Sequence, residues 1–299
     1  MADQELEQLV AALRSGGPDL SAPPAEARAN FEAMLATIPV AADIATEDVD
    51  LGGVPGLRLT LPGAAEDAAL LYLHGGAYVV GSAQGYRGLA AELARASGVT
   101  GYAIDYRLAP EHPFPAAVED AVTAYRALLA RGIDAGRIVL AGDSAGGGLT
   151  MATLVSLREH GVALPAAALV ISPWADLACT GASITGKAAE DPALTVEGLH
   201  GSAAMYVGAG DLAAPLASPV NADLSGLPPL LIQVGSAEIL LDDAVALARA
   251  AGAAGTAVQL EIWPDMVHVW HAFGFMLTQG RNAIAQAGNF LATRLQARP

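Results

Sequence analysis

The chain has 299 residues, of which 53% are hydrophobic and 5% aromatic, and 15 basic against 31 acidic side chains give it a net charge of −16. This acidic balance argues against a nucleic-acid partner and against stable association with an anionic membrane. No apolar run approaches the ~20 residues of a membrane span, the first residues do not match a signal peptide, and Cys179 is the only cysteine, so a cytoplasmic protein without disulfides is expected.

Residues 1–45 carry helical patterns and no strand pattern. Gly16-Gly17-Pro18 ends a first helix, and Pro23-Pro24 begins a second one. The apolar positions of the first helix share one face: Leu6, Leu9, Val10 and Leu13. Packing on the core and covering a site explain this block equally well.

Eight short apolar or alternating runs predict strands. They are residues 48–51, 57–61, 69–73, 99–104, 138–141, 167–172, 229–234 and 258–263. The first two read as an antiparallel hairpin, whereas the others alternate with helical patterns and predict a mostly parallel eight-stranded sheet with helices on both faces. Residues 183–212 interrupt this alternation, and we expect them to lie over the carboxyl edge of the sheet, where ligands bind in such folds.

A strand, a tight glycine turn and a helix follow one another in RIVLAGDSAGGGLT, residues 137–150. Ser144 therefore matches the G-x-S-x-G nucleophile elbow, a pattern that is weak alone and specific in this setting. Gly142 and Gly146 are required because a Cβ at either position would collide with a neighbouring strand or helix.

The base and the acid of such a site follow the nucleophile in the order acid, then histidine. Of the four histidines later in the chain, His268 comes directly after the last strand and is the candidate base, with His271 as the alternative. Glu238 lies four residues beyond the preceding strand and is the candidate acid. Asp242 is the alternative acid, although the helix dipole is a sufficient explanation for Asp242 and Asp243.

His74-Gly75-Gly76-Ala77 follows the strand 69–73. Consecutive glycines let adjacent backbone N–H groups point at one spot, and an HGGG-type loop after this strand supplies the oxyanion hole of lipases and esterases. The expected oxyanion donors are the N–H groups of Gly75, Gly76 and Ala145. The alternatives are an ordinary glycine turn and, for His74, a role in shaping the loop.

Two more loops follow predicted strands. In residues 105–115 we expect Asp105, Arg107 and Glu111 to form a charge network beneath the oxyanion loop, and in residues 172–176 we expect Trp174 to wall a pocket. The sequence has no H-x-x-x-H pair, no cysteine cluster and no phosphate-binding glycine motif, so no metal and no cofactor are expected.

Together these motifs resemble the hormone-sensitive-lipase family of α/β-hydrolases, in its bacterial esterase branch. The matching stretches are HGGA at 74–77, DYRLAPEHPFPAA at 105–117, GDSAGG at 142–147, SPWADL at 172–177 and MVH at 266–268. The resemblance implies one α/β-hydrolase domain over residues 1–299, with a helical cap formed by residues 1–45 and 183–212. It also implies a homodimer in many members and an acid that is usually Asp before Pro, from which Glu238 departs.

The expected function is hydrolysis of short-chain carboxylic esters through Ser144, His268 and Glu238 and an acyl-enzyme intermediate. The expected partner is a small-molecule ester. A receptor with a broken triad is disfavoured because Ser144 and His268 are both present. An amidase or peptidase acting through the same triad remains an alternative.

Overall fold

The computed structural model describes residues 2–17 and 19–296. Residue 18 of the predicted helix stop, and residues 1 and 297–299 of the predicted domain, lie outside the described residues. The strands are β1 (Ala45–Asp50), β2 (Pro55–Thr60), β3 (Ala65–Leu73), β4 (Val99–Ile104), β5 (Ile138–Asp143), β6 (Ala167–Ile171), β7 (Leu230–Gly235) and β8 (Val258–Trp263). The α-helices are α1 (Ala2–Gly16), α2 (Pro24–Leu35), α3 (Ala83–Ser97), α4 (Ala116–Ala130), α5 (Ala145–Glu159), α6 (Ser183–Gly186), α7 (Val196–Val207), α8 (Leu241–Ala253) and α9 (Thr278–Gln296).

All eight strands form one sheet in the order β1-β2-β4-β3-β5-β6-β7-β8. The pairs β1/β2 and β2/β4 are antiparallel, and every pair from β4/β3 to β7/β8 is parallel. The predicted eight-stranded, mostly parallel sheet is therefore confirmed. The predicted hairpin is also present, with Asp50 opposite Pro55 at its turn.

The register brings the ends of the central strands to one edge. Leu73 of β3 lies opposite Gly142 of β5, and Ile171 of β6 lies opposite both Asp143 of β5 and Gln233 of β7. Because parallel strands end on the same side, the loops that follow β3, β5, β6 and β7 emerge together. Ligands bind at this edge in open α/β sheets.

Burial explains the sequence patterns of these strands. Every residue of β4, β5, β6 and β7 is buried, which requires the continuous apolar runs that mark strands covered on both faces. The edge strand β1 is almost entirely exposed and carries charged residues, which discourage pairing with other chains. β3 begins four residues earlier than predicted, and two of its added residues, Glu66 and Asp67, are charged and exposed.

Two helix pairs, α3 with α9 and α4 with α5, pack together and cover the sheet. Ser82 begins α3 by accepting a hydrogen bond from Gly85 N–H, and Gly98 ends it with a φ of +73°. Residues 145–157 of α5 are buried on all sides, which matches the absence of a charged face before Arg158. None of the helices in the described part of the chain is both long and apolar enough to cross a membrane.

Candidate active site

Ser144 lies in the sharp turn between β5 and α5. Its φ of +54° and ψ of −122° form a strained combination for a non-glycine residue, which persists only when the surroundings fix it. Ser144 N–H donates to Ile171 O at 2.9 Å, and Ser144 O accepts from Gly148 N–H at 3.1 Å and from Trp174 N–H at 2.9 Å. Neighbouring backbone therefore holds the serine from three sides, and its side chain is only 7% exposed.

The two glycines of the elbow lie where neighbouring backbone segments come very close together. A Cβ on Gly142 would lie 2.2 Å from Gly146 O, and one on Gly146 would lie 2.0 Å from Leu73 O. Both distances are far inside van der Waals contact with backbone atoms that cannot move aside. The spacing of the motif is thus a direct consequence of packing α5 against β3 and β5.

Glu238 and His268 meet although they follow different strands. Glu238 Oε2 lies 2.7 Å from His268 Nδ1. The other oxygen, Oε1, accepts from Ser172 Oγ at 2.8 Å and from Gly235 N–H at 2.7 Å. Glu238 is fully buried and His268 is 9% exposed, so this carboxylate is fixed by three donors with no water contact of its own.

The buried carboxylate changes the proton affinity of the ring. Burial disfavours the charged imidazolium, but the charge and hydrogen bond of Glu238, together with the charges of Asp191 and Asp143, outweigh burial and raise the pKa of His268. An Nδ1–H that donates to Glu238 leaves the Nε2 lone pair free to accept a proton. The arrangement has the chemistry of a general base.

The alternative base, His271, and the alternative acid, Asp242, form hydrogen bonds with groups outside the Ser144 site. His271 Nε2 is 2.9 Å from Gln233 Oε1, and burial lowers the pKa of His271 to about 3, so the ring is neutral. Asp242 Oδ2 accepts from Ser183 N–H at 2.9 Å. Asp243 Oδ2 accepts two backbone N–H groups of the loop after β6. The remaining later histidines, at positions 160 and 200, are exposed.

One cavity of about 70 Å³ contains both Ser144 and His268 in its lining, together with Gly76 and Ala77. Most of the remaining wall is apolar. Residues 1–45 contribute Leu13, Leu20, Phe31, Met34, Leu35 and Ile38; residues 183–212 contribute Ala193, Leu194 and Leu199; and the loop after β8 contributes Val269, Ala272 and Phe273. The N-terminal block and the inserted segment thus meet over the carboxyl edge of the sheet.

The loop after β3 requires a correction to the expected oxyanion donors. Gly75 N–H donates to Asp143 Oδ1 at 2.9 Å, so the prediction that Gly75 is a donor is wrong. Gly76 and Ala77 line the cavity, and their N–H groups have no acceptor within residues 2–17 and 19–296. Ala145 is the first residue of α5, where N–H groups have no partner inside the helix.

Asp143 explains why the loop takes this position. Its Oδ1 also accepts from Tyr72 Oη at 2.5 Å, so one carboxylate ties the residue before Ser144 to β3 and to the glycine loop. Burial raises the pKa of Asp143 to about 6, against the opposing effect of these hydrogen bonds. The signal for this role was present in the sequence as the Asp of GDSAGG, but its partner lies 68 residues away.

His74 lies behind the glycine loop and outside the cavity lining. Its ring stacks on Tyr106 with 4.3 Å between centroids, and Nδ1 lies 2.7 Å from Gly75 O. Burial lowers the pKa of His74. These contacts support the interpretation that His74 shapes the loop.

The expected charge network in residues 105–115 is wrong. Asp105 Oδ1 accepts from Ala83 N–H at 2.7 Å, Arg107 pairs with carboxylates at the start of α4, and Glu111 pairs with Arg28 of α2 at 2.6 Å. Each residue therefore ties the loop to a different helix. The three charges do not pair with one another.

Trp174 does not wall the cavity, contrary to the prediction. It is fully buried and packs against the ring of Tyr78, with 6.3 Å between centroids, so it supports the core beneath the cavity and is absent from the cavity wall. Within the described ranges, no group of three His, Cys, Asp or Glu side chains is arranged to hold a metal ion.

The chain is similar to known proteins over most of its length. A family described by its α/β-hydrolase fold matches residues 70–272. The chain is similar to an acetyl-hydrolase of Streptomyces hygroscopicus (55% identity over 78% of each chain) and to an ethyl acetate hydrolase of Pseudomonas putida (34% identity over 96% of each). It also resembles the crystal structure of an esterase from the bacterial hormone-sensitive lipase family, with a TM-score of 0.94, 48% identity and 98% of each chain covered.

The chain belongs to the hormone-sensitive-lipase family of α/β-hydrolases. The predicted fold class and the predicted enzyme class, a hydrolase of the carboxylesterase type, are confirmed by these similarities. The residues matched by the family, 70–272, include the loops that follow β3, β5, β6, β7 and β8.

Proposed function

We propose that this protein hydrolyses carboxylic esters with short acyl chains, using Ser144 as nucleophile, His268 as general base and Glu238 as the carboxylate that orients it. The observation that carries the proposal is the 2.7 Å contact between Glu238 Oε2 and His268 Nδ1, beside a cavity that His268 shares with Ser144. A nucleophile, a base and an orienting acid in this chain order are the components of serine-hydrolase catalysis.

Acylation begins when His268 Nε2 takes the proton of the Ser144 hydroxyl as Oγ attacks the ester carbonyl carbon. The carbonyl π electrons move onto its oxygen, and the N–H groups of Gly76, Ala77 and Ala145 stabilise the resulting oxyanion. As the tetrahedral intermediate collapses, the C–O bond to the alcohol breaks. His268 gives its proton to the departing alkoxide, which leaves as an alcohol, and the acyl group stays on Ser144.

Deacylation repeats these steps with water as the nucleophile. His268 takes a proton from water, the hydroxide adds to the acyl carbon, and the protonated imidazole returns a proton to Ser144 Oγ as the acid leaves. Glu238 holds the Nδ1–H tautomer throughout and stabilises the imidazolium. Each oxyanion donor in such a site is worth about 10²–10³ in rate.

The apolar wall and small volume of the cavity support short acyl groups as substrates. Two relatives, named as an acetyl-hydrolase and an ethyl acetate hydrolase, support the same substrate class. We propose residues 1–45 and 183–212 as the cap that closes this cavity. The homodimer and the cytoplasmic location stay predictions from the sequence.

A series of p-nitrophenyl esters from acetate to decanoate tests the proposed function. We expect kcat/KM to be highest for acetate to butyrate, and to fall with longer chains because the cavity lacks room for them. Ser144→Ala should lower kcat by about 10⁶, the scale measured for nucleophile removal in another serine hydrolase. A Ser144→Ala variant that retains most of the activity contradicts the assignment of the nucleophile.

A further inference from the structure

Asp191 lies in the inserted segment between α6 and α7, and it is 7% exposed. Its Oδ1 accepts from the N–H groups of Ala193 at 2.8 Å and Leu194 at 3.0 Å. Its Oδ2 accepts from Ile239 N–H at 2.9 Å. One carboxylate therefore binds three backbone N–H groups from two distant parts of the chain.

Both parts belong to the site. Ala193 and Leu194 line the cavity beside Ser144, and Ile239 directly follows Glu238. Ile239 is held on its other side as well, because Ser183 Oγ donates to Ile239 O at 2.7 Å. The inserted segment thus grips the backbone next to the candidate acid through its amide and its carbonyl.

The charge of Asp191 is close enough to Glu238 and His268 to affect the proton affinity of this group of side chains. Burial raises the pKa of Asp191, the nearby His268 opposes this rise, and Glu238 adds to it. Around His268 the facing carboxylates are Glu238, Asp191 and Asp143, and each of them favours the imidazolium. Arg14 and Asp191 line the same crevice. The Arg14 guanidinium donates to Ala189 O at 3.0 Å rather than to the Asp191 carboxylate.

We propose that Asp191 is a positioning residue that couples the inserted segment to the reaction by fixing the Glu238–Ile239 backbone against His268. This inference rests on the proposed function. The hydrogen bond from Ile239 N–H to Asp191 holds Glu238 where its Oε2 meets His268 Nδ1. The hydrogen bonds from Ala193 and Leu194 to Asp191 hold the opposite wall of the cavity. The negative charge of Asp191 also stabilises the protonated imidazole that forms in each half of the reaction.

The test compares Asp191→Asn and Asp191→Ser with a matched control, Asp243→Asn. Asn has the size of Asp but no charge, and its NH₂ group cannot accept a hydrogen bond. Ser keeps a hydroxyl beside Ala193 and Leu194 but is too short to reach Ile239. Asp243 is also a buried carboxylate that accepts two backbone N–H groups, yet it is not among the carboxylates that face His268.

The readouts are kcat and KM for p-nitrophenyl acetate, the pH profile of kcat/KM, and thermal unfolding. We expect both Asp191 variants to lower kcat about tenfold with a smaller change in KM. The acid limb of kcat/KM should shift by roughly half a pH unit to lower pH, because loss of a facing negative charge lowers the pKa of His268. Asp243→Asn should leave the position of that limb unchanged.

Two results overturn the inference. One is an acid limb that stays in place in both Asp191 variants while unfolding shows them destabilised, since a purely structural residue behaves in this way. The other is an equal shift in Asp243→Asn.

If one Asp191 variant does not fold, the other variant is used for the test. Titration of the His268 Nδ1–H resonance in a Ser144→Ala background measures the same pKa without turnover. Failure of the proposed function is distinguishable, because the unsubstituted enzyme would then lack Ser144-dependent esterase activity.

Discussion

Three carboxylates within six residues follow β7, and only one of them reaches the imidazole. Glu238 Oε2 contacts His268 Nδ1, whereas Asp242 accepts from Ser183 N–H. The longer glutamate side chain is accommodated because Ser172 Oγ and Gly235 N–H hold its second oxygen. The departure from the Asp-Pro pattern of the family is therefore compatible with an orienting acid at this position.

Glu238→Gln should lower kcat by about 10³–10⁴, the scale seen when an amide replaces the acid of another serine triad. The amide NH₂ group placed against Nδ1 selects the wrong histidine tautomer, so Nε2 carries a hydrogen and cannot accept the Ser144 proton. Asp242→Asn is the matched control and should change kcat less than about fivefold, as measured with p-nitrophenyl acetate. The reverse order of effects would move the acid role to Asp242.

Four of the seven non-glycine residues with positive φ in the described part of the chain lie at the candidate site. Ala77, Ser144, Ser172 and Val269 have φ values between +43° and +54°, a region that non-glycine residues rarely occupy and that is least favourable for β-branched valine. Three of them line the cavity, and Ser172 donates to Glu238. This clustering is typical of functional sites, where packing holds conformations that the sequence alone disfavours.

The two N-terminal helices support the loop that carries His268 and the cavity beside it. Leu9 and Leu13 of α1 are buried in a small apolar cluster with Met266, Val267 and Trp270. This cluster is separate from the main core. The N-terminal helix therefore backs the segment on both sides of His268, while α2 supplies a wall of the cavity.

The α2 wall makes a prediction about acyl length. Met34 is partly buried and lines the cavity, so Met34→Ala should enlarge it with a modest loss of stability. We expect the ratio of kcat/KM for p-nitrophenyl hexanoate over acetate to rise several-fold. Glu26→Ala, an exposed change on the same helix, is the control and should leave the ratio unchanged. An unchanged ratio in Met34→Ala would contradict the proposal that α2 limits the acyl chain.

At the scale of the whole molecule, the sequence was most informative where burial is complete. β4 to β7 are enclosed on both faces, so their apolar runs and the glycine turn after β5 predicted the centre of the sheet and the positions of Ser144 and Glu238. The ends of strands were less informative, since Glu66 and Asp67 near the start of β3 are exposed and carry no apolar signal.

Long-range partners could not be predicted in the same way. Asp143, at the end of β5, accepts a hydrogen bond from Gly75 N–H. The free N–H groups of the loop are therefore those of Gly76 and Ala77 rather than that of Gly75. Glu111 pairs with Arg28 across 83 residues, and Asp191 reaches Ile239 across 48. Such contacts follow from the register of the sheet and the path of the inserted segment, neither of which a local pattern encodes.

The central claim is that Ser144 is a nucleophile activated by His268, and active-site labelling tests it most directly. The protein is treated with a fluorophosphonate and digested with trypsin, and the masses of its peptides are measured. We predict one adduct, on the peptide 138–158 that contains Ser144, with no adduct in Ser144→Ala and strongly slowed labelling in His268→Ala. An adduct on any other peptide, or labelling that persists in Ser144→Ala, would contradict the account.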